Sequence, residues 1–332
     1  MSLLCLGIES TAHTFGASLV DDHGHVLSDV NDKYRPPIGQ GIHPRKAAQH
    51  HAEVAANVVG RALAVKKSGP VLPDTIAFSA GPGLGPCLRV GATVARALAL
   101  YYHKPLVPVH HGVAHLDLAM LGSGFRDPLA VLVSGGHTAI GVHIRKKWRI
   151  YGETQDITLG NLIDMFARSS GLPSPGGPTL EQEARKGTKL LKLPYTVKGN
   201  DVAYSGLLTS ASRMLKKGES LQDVCYSVQE VGFAMLAEAV ERSLVQTRRK
   251  ELLLAGGVAA NNRLKEMLQQ VAHEHDASFH AAELSKSGDC GLQIAWSGQL
   301  AFRSGITVKP SESHVVPRWR IDEAEVPWIP IK

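Results

Sequence analysis

SGGHT at residues 134–138 repeats the pattern of STAHT at residues 10–14. Each copy follows an apolar run, LAVLV or LCLGIE, and each leads into a second apolar stretch. Apolar runs joined by a short polar turn are typical of β-hairpins. Two unrelated hairpins would explain the echo, and so would a duplicated fold whose matching turns face one ligand.

The order of elements after the two turns favours duplication. The first copy continues into a long amphipathic helix from Lys46, the strand TIAFSA, the glycine-rich turn GPGLGP and another helix. From residue 128 the strand–turn–strand order begins again, and KELLLAGGVAANNRLKEML repeats the plan of strand, glycine turn and helix. We therefore predict an α/β chain of two lobes, residues 1–127 and 128–332, with the final helix packing back on the first lobe. The helix from Lys46 would pack on the core or dock a partner.

Length and composition describe an ordinary globular protein. The 332 residues exceed the size at which a single core stops growing, and the chain is 44% hydrophobic and 20% charged. No apolar run approaches the roughly 20 residues of a membrane span. MSLLCLGIES has no basic region or cleavage site of a secretory signal, and the four cysteines form no C-x-x-C pair. We expect a cytoplasmic protein with no membrane partner.

The chain is basic, with a net charge of +6. The clustered cations are Arg145, Lys146, Lys147 and Arg149; Arg248, Arg249 and Lys250; and Arg318 and Arg320. They form either three solvated turns or an electrostatic footprint for nucleic acid, and charge alone leaves both open. Aromatic residues make up only 5% of the chain, which argues against a stacking platform for single strands.

VHHGVAHL places two histidines at helical spacing. His111 and His115 are four apart, so on a helix their side chains share one face, about 5–6 Å apart at Cβ. This spacing suits two imidazoles on one metal ion, although sixteen histidines make a chance pair plausible. Position 112 is Gly, so the glutamate of the H-E-x-x-H zinc proteases is missing. A third ligand must come from elsewhere.

Three glycine turns suggest a nucleotide. In SGGHT, Gly135 and Gly136 permit close approach of an anion to backbone N–H groups. AGGVAANN carries Asn261 at a helix start, where a nucleoside or a plain asparagine cap would fit. PGGPTLE adds Glu181 as a candidate ribose or base contact.

At this point the motifs resemble a known family. The stretches that carry the resemblance, in chain order, are GIESTAHTFG, HPRKAAQHH, AGPGLGPCLRVG, VHHGVAHL, VSGGHT, ITLGNLIDMFAR, PGGPTLE, YSGLLT and GGVAANNRL. Together they resemble the universal tRNA threonylcarbamoyladenosine synthesis family, in its archaeal and eukaryotic branch, the catalytic subunit of the KEOPS complex, once labelled O-sialoglycoprotein endopeptidases. The resemblance implies a duplicated actin-like, sugar-kinase-like (ASKHA) fold with a nucleotide cleft between two lobes.

The implied reaction moves a threonylcarbamoyl group from its adenylate to the exocyclic amine of the adenosine 3′-adjacent to the anticodon, in tRNAs that read ANN codons. The resemblance assigns the metal to His111, His115 and Asp289. It assigns the substrate to Leu132, Val133, Ser134, Gly135, Gly136, Asp164, Gly177, Glu181 and Asn261. The repeated turn pattern adds Ser10, Thr11 and His13 as the opposite wall of the nucleotide cleft. Glu9, before the first turn, is a candidate catalytic or water-orienting group, with a structural role as the alternative.

The resemblance also implies cofactors and partners. We expect one divalent metal ion per subunit, iron or zinc, and an adenylate or ATP-like nucleotide accompanied by Mg²⁺. The expected partners are tRNA, a kinase-like ATPase subunit and the small dimerising and accessory subunits of KEOPS. In some archaea the kinase is fused to the C-terminus of this protein, and we expect a separate kinase subunit for this chain.

Two positions depart from the family pattern. Some archaeal relatives carry a tyrosine where this chain has Leu132, and that tyrosine can touch the metal. Around Asp289 the family usually reads T-D-N, whereas this chain reads G-D-C. We therefore expect fewer protein ligands and a different environment for the metal.

Two other readings compete with the transferase. A sugar kinase or ATPase of the same fold would also use paired phosphate loops and an adenosine turn. A scaffold would bind nucleotide and recruit partners without catalysis. A protease reading fails on the missing H-E-x-x-H glutamate.

Overall fold

Two sheets of the same design account for most of the chain. The computed structural model describes residues 2–37, 39–65, 70–173, 175–283 and 287–329. The first sheet contains β1 (Leu4–Glu9), β2 (Thr14–Asp21), β3 (Val26–Lys33), β4 (Thr75–Gly81) and β5 (Leu106–His110). The second contains β6 (Leu129–Val133), β7 (Thr138–Ile144), β8 (Lys147–Glu153), β11 (Glu251–Ala255) and β12 (Ser278–Ala281).

The strand order confirms the predicted duplication. The first sheet has the order β3-β2-β1-β4-β5, and the second has β8-β7-β6-β11-β12, read from the equivalent edge. In each sheet the first strand pairs antiparallel with its hairpin partner (β1 with β2, β6 with β7) and parallel with a later strand (β4 or β11). The STAHT turn joins β1 to β2 and the SGGHT turn joins β6 to β7, so the two turns hold equivalent positions.

Nine helices within the described residues cover the sheets. Those of the first half are α1 (Pro44–Leu63), α2 (Gly85–Tyr102) and α3 (His111–Ser123). Those of the second half are α4 (Leu159–Ser169), α5 (Gly176–Ala184), α6 (Ser205–Lys216), α7 (Leu221–Thr247), α8 (Asn262–Glu274) and α9 (Gly291–Arg303). A two-stranded ribbon, β9 (Val197–Lys198) and β10 (Asp201–Val202), precedes α6. The predicted helices at HGVAHLDLAML and after the glycine turns are confirmed.

Each sheet has its own hydrophobic core. Leu6, Ile8 and Phe15 of the first sheet pack with residues of α1 and α2. Phe166 and Phe233 belong to the larger cluster between the second sheet and α4–α8. The apolar face of α1 is buried in the core of the first sheet, so core packing accounts for that face of the helix from Lys46.

Helix α9 lies on the first sheet, although it follows the second sheet in sequence. It contacts β1, β2 and β4 on one side and α3 on another. Glycine makes this close approach feasible, since a Cβ at Gly7 of β1 would lie 2.0 Å from the backbone nitrogen of Ala295. Helix α3 in turn contacts β6 and β11 of the second sheet. Helices α3 and α9 therefore connect the two sheets. The exact lobe boundary at residue 128 stays a prediction.

The C-terminal segment also joins the two halves. Val308 forms a bridge with Leu106 of the first sheet, whereas the Val326 N–H donates to the Lys146 carbonyl beside the second sheet at 2.7 Å. Among the helices that the structure describes, we find none with the length and apolar character needed to cross a membrane.

Candidate active site

Helix α3 begins where β5 ends and carries both predicted metal histidines. His110, the last residue of β5, caps the helix, because its Nδ1 accepts the Val113 N–H at 3.2 Å. The next residue, His111, and His115 follow on one face, with ring centroids 4.7 Å apart. The cap therefore fixes where the helix starts and which way His111 points.

Asp289 joins the histidine pair from the segment before α9. Its Oδ1 lies 3.3 Å from Nε2 of His115 and 3.4 Å from Nε2 of His111. The three side chains each offer a ligand atom, and these atoms lie within 4.8 Å of one another. Two ligands bound about 2.0–2.1 Å from a tetrahedral ion are roughly 3.3–3.4 Å apart. The donor atoms therefore fit a divalent transition-metal ion, and we call these residues the metal triad.

Glu9 and Gln293 lie behind His111. Oε2 of Glu9 is 3.0 Å from Nδ1 of His111, and the amide nitrogen of Gln293 is 3.2 Å from the same atom. The other oxygen of Glu9 accepts both the backbone N–H and the hydroxyl of Thr11, each at 2.5 Å. A carboxylate that accepts the Nδ1 proton leaves Nε2 free to bind a metal. Glu9 is fully buried, so the geometry supports a positioning role, and its catalytic role stays a prediction.

The charges of this cluster favour a bound cation. Burial alone would lower the pKa of His111, but the carboxylates of Glu9 and Asp289 outweigh it and raise that pKa to about 10. Burial lowers the pKa of His115. For Asp289, burial is outweighed by the charge of His111, so its pKa lies well below its usual range. The proton on His111 thus balances buried carboxylates, and a metal ion would take over this role and release the proton.

The SGGHT loop packs on α3, the helix that carries His111 and His115 of the metal triad. A Cβ at Gly112 would lie 3.2 Å from Cδ2 of Leu132 and 3.3 Å from Nε2 of His137. The Ser134 hydroxyl accepts the N–H groups of Gly136 and His137 at 3.1 and 3.0 Å. The loop therefore borders the metal triad in a fixed shape.

The predicted substrate residues of this loop differ in access. Leu132 and Val133 are 1% and 0% exposed, so only their backbone could meet a ligand. The side chain of Leu132 is part of the hydrophobic core beside α3, so at this position the chain has an apolar packing residue and no metal ligand. Gly135 and Gly136 are exposed and form the open part of the loop.

The STAHT loop is mostly turned inward. Ser10 is fully buried, and its hydroxyl has no hydrogen-bond partner within the described part of the chain. That hydroxyl faces Gly91, where a Cβ would lie 2.0 Å from it. Thr11 is held by Glu9, so His13 is the side chain of this loop that remains open. Nδ1 of His13 lies 4.0 Å from Oδ2 of Asp289, so a ligand contact of this wall would involve His13 or backbone groups.

The remaining predicted substrate residues lie on α4, on α5 and at the start of α8. Oδ1 of Asp164 accepts the Gly176 N–H at 3.0 Å, and a Cβ at Gly177 would meet no atom within 4 Å. Glu181, in the second half of α5, accepts the side-chain amide of Asn262 at 3.1 Å, which brings α5 against the start of α8. These contacts place the PGGPTLE and GGVAANN turns side by side.

Asn261 uses both ends of its side-chain amide within the protein. Its oxygen caps α8 by accepting the Leu264 N–H at 3.2 Å, and its nitrogen donates to Gln229 at 3.1 Å. This is the asparagine cap that the sequence left open as an alternative. A nucleotide contact by Asn261 stays a prediction.

Sequence reasoning missed two residues beside the metal triad. Gln293 lies four residues after Asp289, on the first turn of α9, and His137 occupies the position equivalent to His13 in the duplicated turn. Burial and the neighbouring charge of His111 lower the pKa of His137 to about 3, so it is a neutral imidazole. The in-register echo of the two turns was the signal that could have found His137.

Comparisons with known proteins agree with this geometry. The family model described as tRNA N6-adenosine threonylcarbamoyltransferase matches residues 25–296. A protein of that name from Caldivirga maquilingensis is 49% identical over 327 residues, which cover 98% of each chain. The probable bifunctional tRNA threonylcarbamoyladenosine biosynthesis protein of Methanocaldococcus jannaschii is 47% identical, over 98% of this chain and 61% of that protein.

Solved structures agree on the fold. The crystal structure of T. kodakarensis HypF matches with a TM-score of 0.62 at 16% identity, over 91% of this chain and 48% of that chain. Component A of (R)-2-hydroxyglutaryl-CoA dehydratase from Acidaminococcus fermentans matches with a TM-score of 0.56 at 12% identity, over 90% of this chain and 98% of that chain. The fold is of the actin-like, sugar-kinase-like (ASKHA) type, as predicted. With nearly half of its residues identical to relatives of that name along almost its whole length, the chain belongs to the tRNA N6-adenosine threonylcarbamoyltransferase family.

Proposed function

We propose that the chain transfers the threonylcarbamoyl group of threonylcarbamoyl-AMP to the exocyclic amine of the adenosine 3′-adjacent to the anticodon, in tRNAs that read ANN codons. The observation that carries the proposal is the buried metal triad beside the SGGHT loop, in a chain of this family. The amine forms a C–N bond to the carbamoyl carbon, the C–O bond to the phosphate breaks, AMP leaves and one amine proton is released. Because a mixed anhydride is already activated, positioning the amine supplies most of the rate.

In this proposal each group of residues has a separate task. His111, His115 and Asp289 would hold a divalent ion, iron or zinc, which when bound would supply Lewis-acid polarisation of a carbonyl or phosphoryl oxygen. The exposed Gly135–Gly136 segment binds the phosphate through its backbone.

The rest of the cleft would hold the nucleotide. Asp164, Gly177 and Glu181 lie along the wall that we assign to the ribose and adenine, with Mg²⁺ accompanying the nucleotide phosphates. His13 faces the metal triad from the other wall and would meet the transferred group. Each of these residues is at least partly exposed, as a contact with a ligand requires.

The kinase alternative requires a carboxylate base that can reach a sugar hydroxyl. Glu9, the candidate catalytic carboxylate before the first turn, is fully buried and both of its oxygens are engaged. The geometry therefore favours the transferase over the kinase.

We infer the partners from the same family. They are tRNA, a kinase-like ATPase subunit and the small dimerising and accessory subunits of a KEOPS complex, and the compartment is the cytoplasm. The Methanocaldococcus jannaschii relative, whose name describes a bifunctional biosynthesis protein, supports a second activity working beside this one.

One assay tests the proposal. The protein, purified without chelator, is incubated with unmodified tRNA and threonylcarbamoyl-AMP formed in place from threonine, bicarbonate and ATP by the adenylate-forming enzyme, with and without partners. Nucleoside mass spectrometry should detect threonylcarbamoyladenosine in the tRNA.

Two variants make the assay specific. His111→Ala should lose both bound metal and product, whereas His273→Ala, which removes an exposed imidazole from α8, should keep both. Absence of product from the wild-type protein with all partners present would reject the function, and an active His111→Ala protein with normal metal content would reject the role of the metal triad.

A further inference from the structure

Three segments meet at the edge of the cleft that belongs to the first half of the chain. The start of α1 contacts the start of α2, since Sγ of Cys87 donates to the Pro44 carbonyl at 3.6 Å. The C-terminal segment joins them where the Gly83 N–H donates to the Pro317 carbonyl at 3.1 Å. Next to this contact, the Leu84 N–H donates to the Thr11 carbonyl at 2.7 Å. The turn before α2 thus contacts the STAHT loop that leads to the metal triad, and the start of α1 and the C-terminal segment adjoin that turn and the first residues of α2.

These segments and the end of β3 carry exposed cations. We call them the cationic rim: Lys33, Arg35, Arg45, Lys46, Arg89 and Arg318. Lys33 pairs with Thr14 at the end of β3, and Arg35 follows Tyr34, whose N–H donates to the His13 carbonyl at 2.8 Å. Within the described residues, no rim cation has an ion-pair partner. Asp32, which precedes Lys33 in sequence, has its Oδ1 2.9 Å from Nε2 of His50.

Several rim cations occupy unfavourable helix positions. Arg45 and Lys46 lie in the first turn of α1, and Arg89 lies close to the start of α2. Neither helix has an acidic residue in its first turn or a capping side chain at its start. The N-terminal end of a helix carries a partial positive charge and repels cations. A polyanion bound across the rim would offset this repulsion.

The other two basic clusters lie at the ends of β7 and β11 that are far from the SGGHT loop. Strand β7 begins beside the SGGHT loop and ends at Ile144, so the turn with Arg145 and Lys146 is about 20 Å away at ~3.3 Å per residue. Arg248 and Lys250 precede β11, whose other end, Ala255, pairs with Leu132 near the same loop. Of the three clusters noted in the sequence, only the one at Arg318 adjoins the cleft.

We propose that the cationic rim binds the phosphate backbone of tRNA and thereby directs the anticodon arm into the cleft. The inference rests on the proposed function, which makes tRNA the substrate, and it assigns the contact to one edge of the molecule. Cations without ion-pair partners next to the site match the evenly spaced phosphates of a nucleic acid, whose binding depends on charge. An acidic protein partner is the competing occupant.

Two matched variants compare the cationic rim with the basic clusters at the far end of the second sheet. The rim variant combines Arg45→Gln, Lys46→Gln, Arg89→Gln and Arg318→Gln. The control variant combines Arg145→Gln, Lys146→Gln, Arg248→Gln and Lys250→Gln, and removes the same charge from exposed residues at the opposite end. Fluorescence anisotropy of labelled, unmodified tRNA is measured with the full chain over a series of salt concentrations.

The rim variant should bind tRNA at least about tenfold more weakly, and the slope of log K against log[salt] should fall in magnitude by roughly 3. The control should stay within about twofold of the wild type. In the transfer assay the rim variant should show a raised KM for tRNA, with kcat and metal content unchanged. Arg45→Gln with Lys46→Gln alone should show part of the loss, which guards against a folding defect.

Equal losses in both variants, or an unchanged rim variant, would overturn the proposal. The proposal would also be overturned if the rim variant lost binding to another protein subunit but kept its affinity for tRNA. Failure of the proposed function is distinguishable, because the wild-type protein would then yield no modified nucleoside. If the wild type is active and the KM of the rim variant for tRNA is unchanged, only the rim proposal fails.

Discussion

Oε2 of Glu9 lies 3.0 Å from Nδ1 of His111, although 102 residues separate them in sequence. Glu9 ends β1 of the first sheet, and His111 begins the helix that contacts the second sheet. The contact therefore ties the orientation of a proposed metal ligand to the first strand of the fold.

Glu9→Gln tests this relationship. Glutamine keeps the shape of the side chain but removes the carboxylate that holds the Nδ1 proton of His111. We expect metal affinity to fall by about 10–100-fold, as is usual when a partner of a ligating histidine is lost. Metal content after dialysis against graded chelator measures it, with exposed Glu53→Gln on α1 as the control. Equal metal retention by both variants would contradict the positioning role.

Gly7→Ala tests the contact between α9 and the first sheet. The added methyl carbon would lie 2.0 Å from the Ala295 nitrogen, so the helix must shift. We expect a loss of unfolding free energy of about 1–3 kcal/mol or more, seen as a lower Tm. The control is Gly60→Ala, at an exposed α1 position with no atom within 4 Å of the new Cβ, which should stabilise the protein by roughly 0.5–1 kcal/mol. A Gly7→Ala protein as stable as the wild type would contradict the close packing.

The parts of the fold that sequence predicted are those with a local signal. The repeated turn, the alternation of strands and helices and the helical spacing of His111 and His115 can all be read within short windows. Asp289 has no such signal, since 174 residues separate it from His115, and its place followed only from the family resemblance.

The contacts of Glu9 and Gln293 with His111 were out of reach for a similar reason. They depend on how distant segments pack on one another, since His111 is 102 residues from Glu9 and 182 residues from Gln293, and no short window of sequence shows such contacts. The inward orientation of Ser10 is likewise a matter of packing against α2. Sequence could therefore predict which residues belong to the site better than which of their atoms are open to a ligand.

Asp156 provides a pH-dependent test of the second half. Its carboxylate accepts the Tyr204 and Ser205 N–H groups at 2.8 and 3.0 Å, at the start of α6. Burial raises its pKa, but the hydrogen bonds from Ser205 and Tyr204 outweigh burial, so the pKa lies below its usual range. The stabilisation is thus fully present above the unfolded pKa of about 3.9 and is lost as pH falls through the lower folded value.

Asp156→Asn should therefore lower the unfolding free energy at pH 7, by only roughly 0.2–1 kcal/mol because Asp156 is exposed and solvent screens its charge. The difference from wild type should shrink as the pH falls below about 3.9, where the wild-type carboxylate becomes protonated. Urea unfolding at a series of pH values measures this difference. A difference that grows on acidification would have the wrong sign for the contact.

Asp164→Ala tests the wall that we assign to the nucleoside. Oδ1 of Asp164 is held by the Gly176 N–H at 3.0 Å, which aims the carboxylate beside the open Gly177. Loss of a carboxylate that accepts ribose hydroxyls should weaken binding of AMP or an ATP analogue by about tenfold, since hydrogen bonds to charged groups contribute roughly 1.5–3 kcal/mol. Calorimetric titration measures the affinity, with exposed Glu266→Gln on α8 as the control and metal content as the check that the metal triad is intact. If Asp164→Ala bound nucleotide as the control does, the nucleoside would have to lie on another part of the cleft.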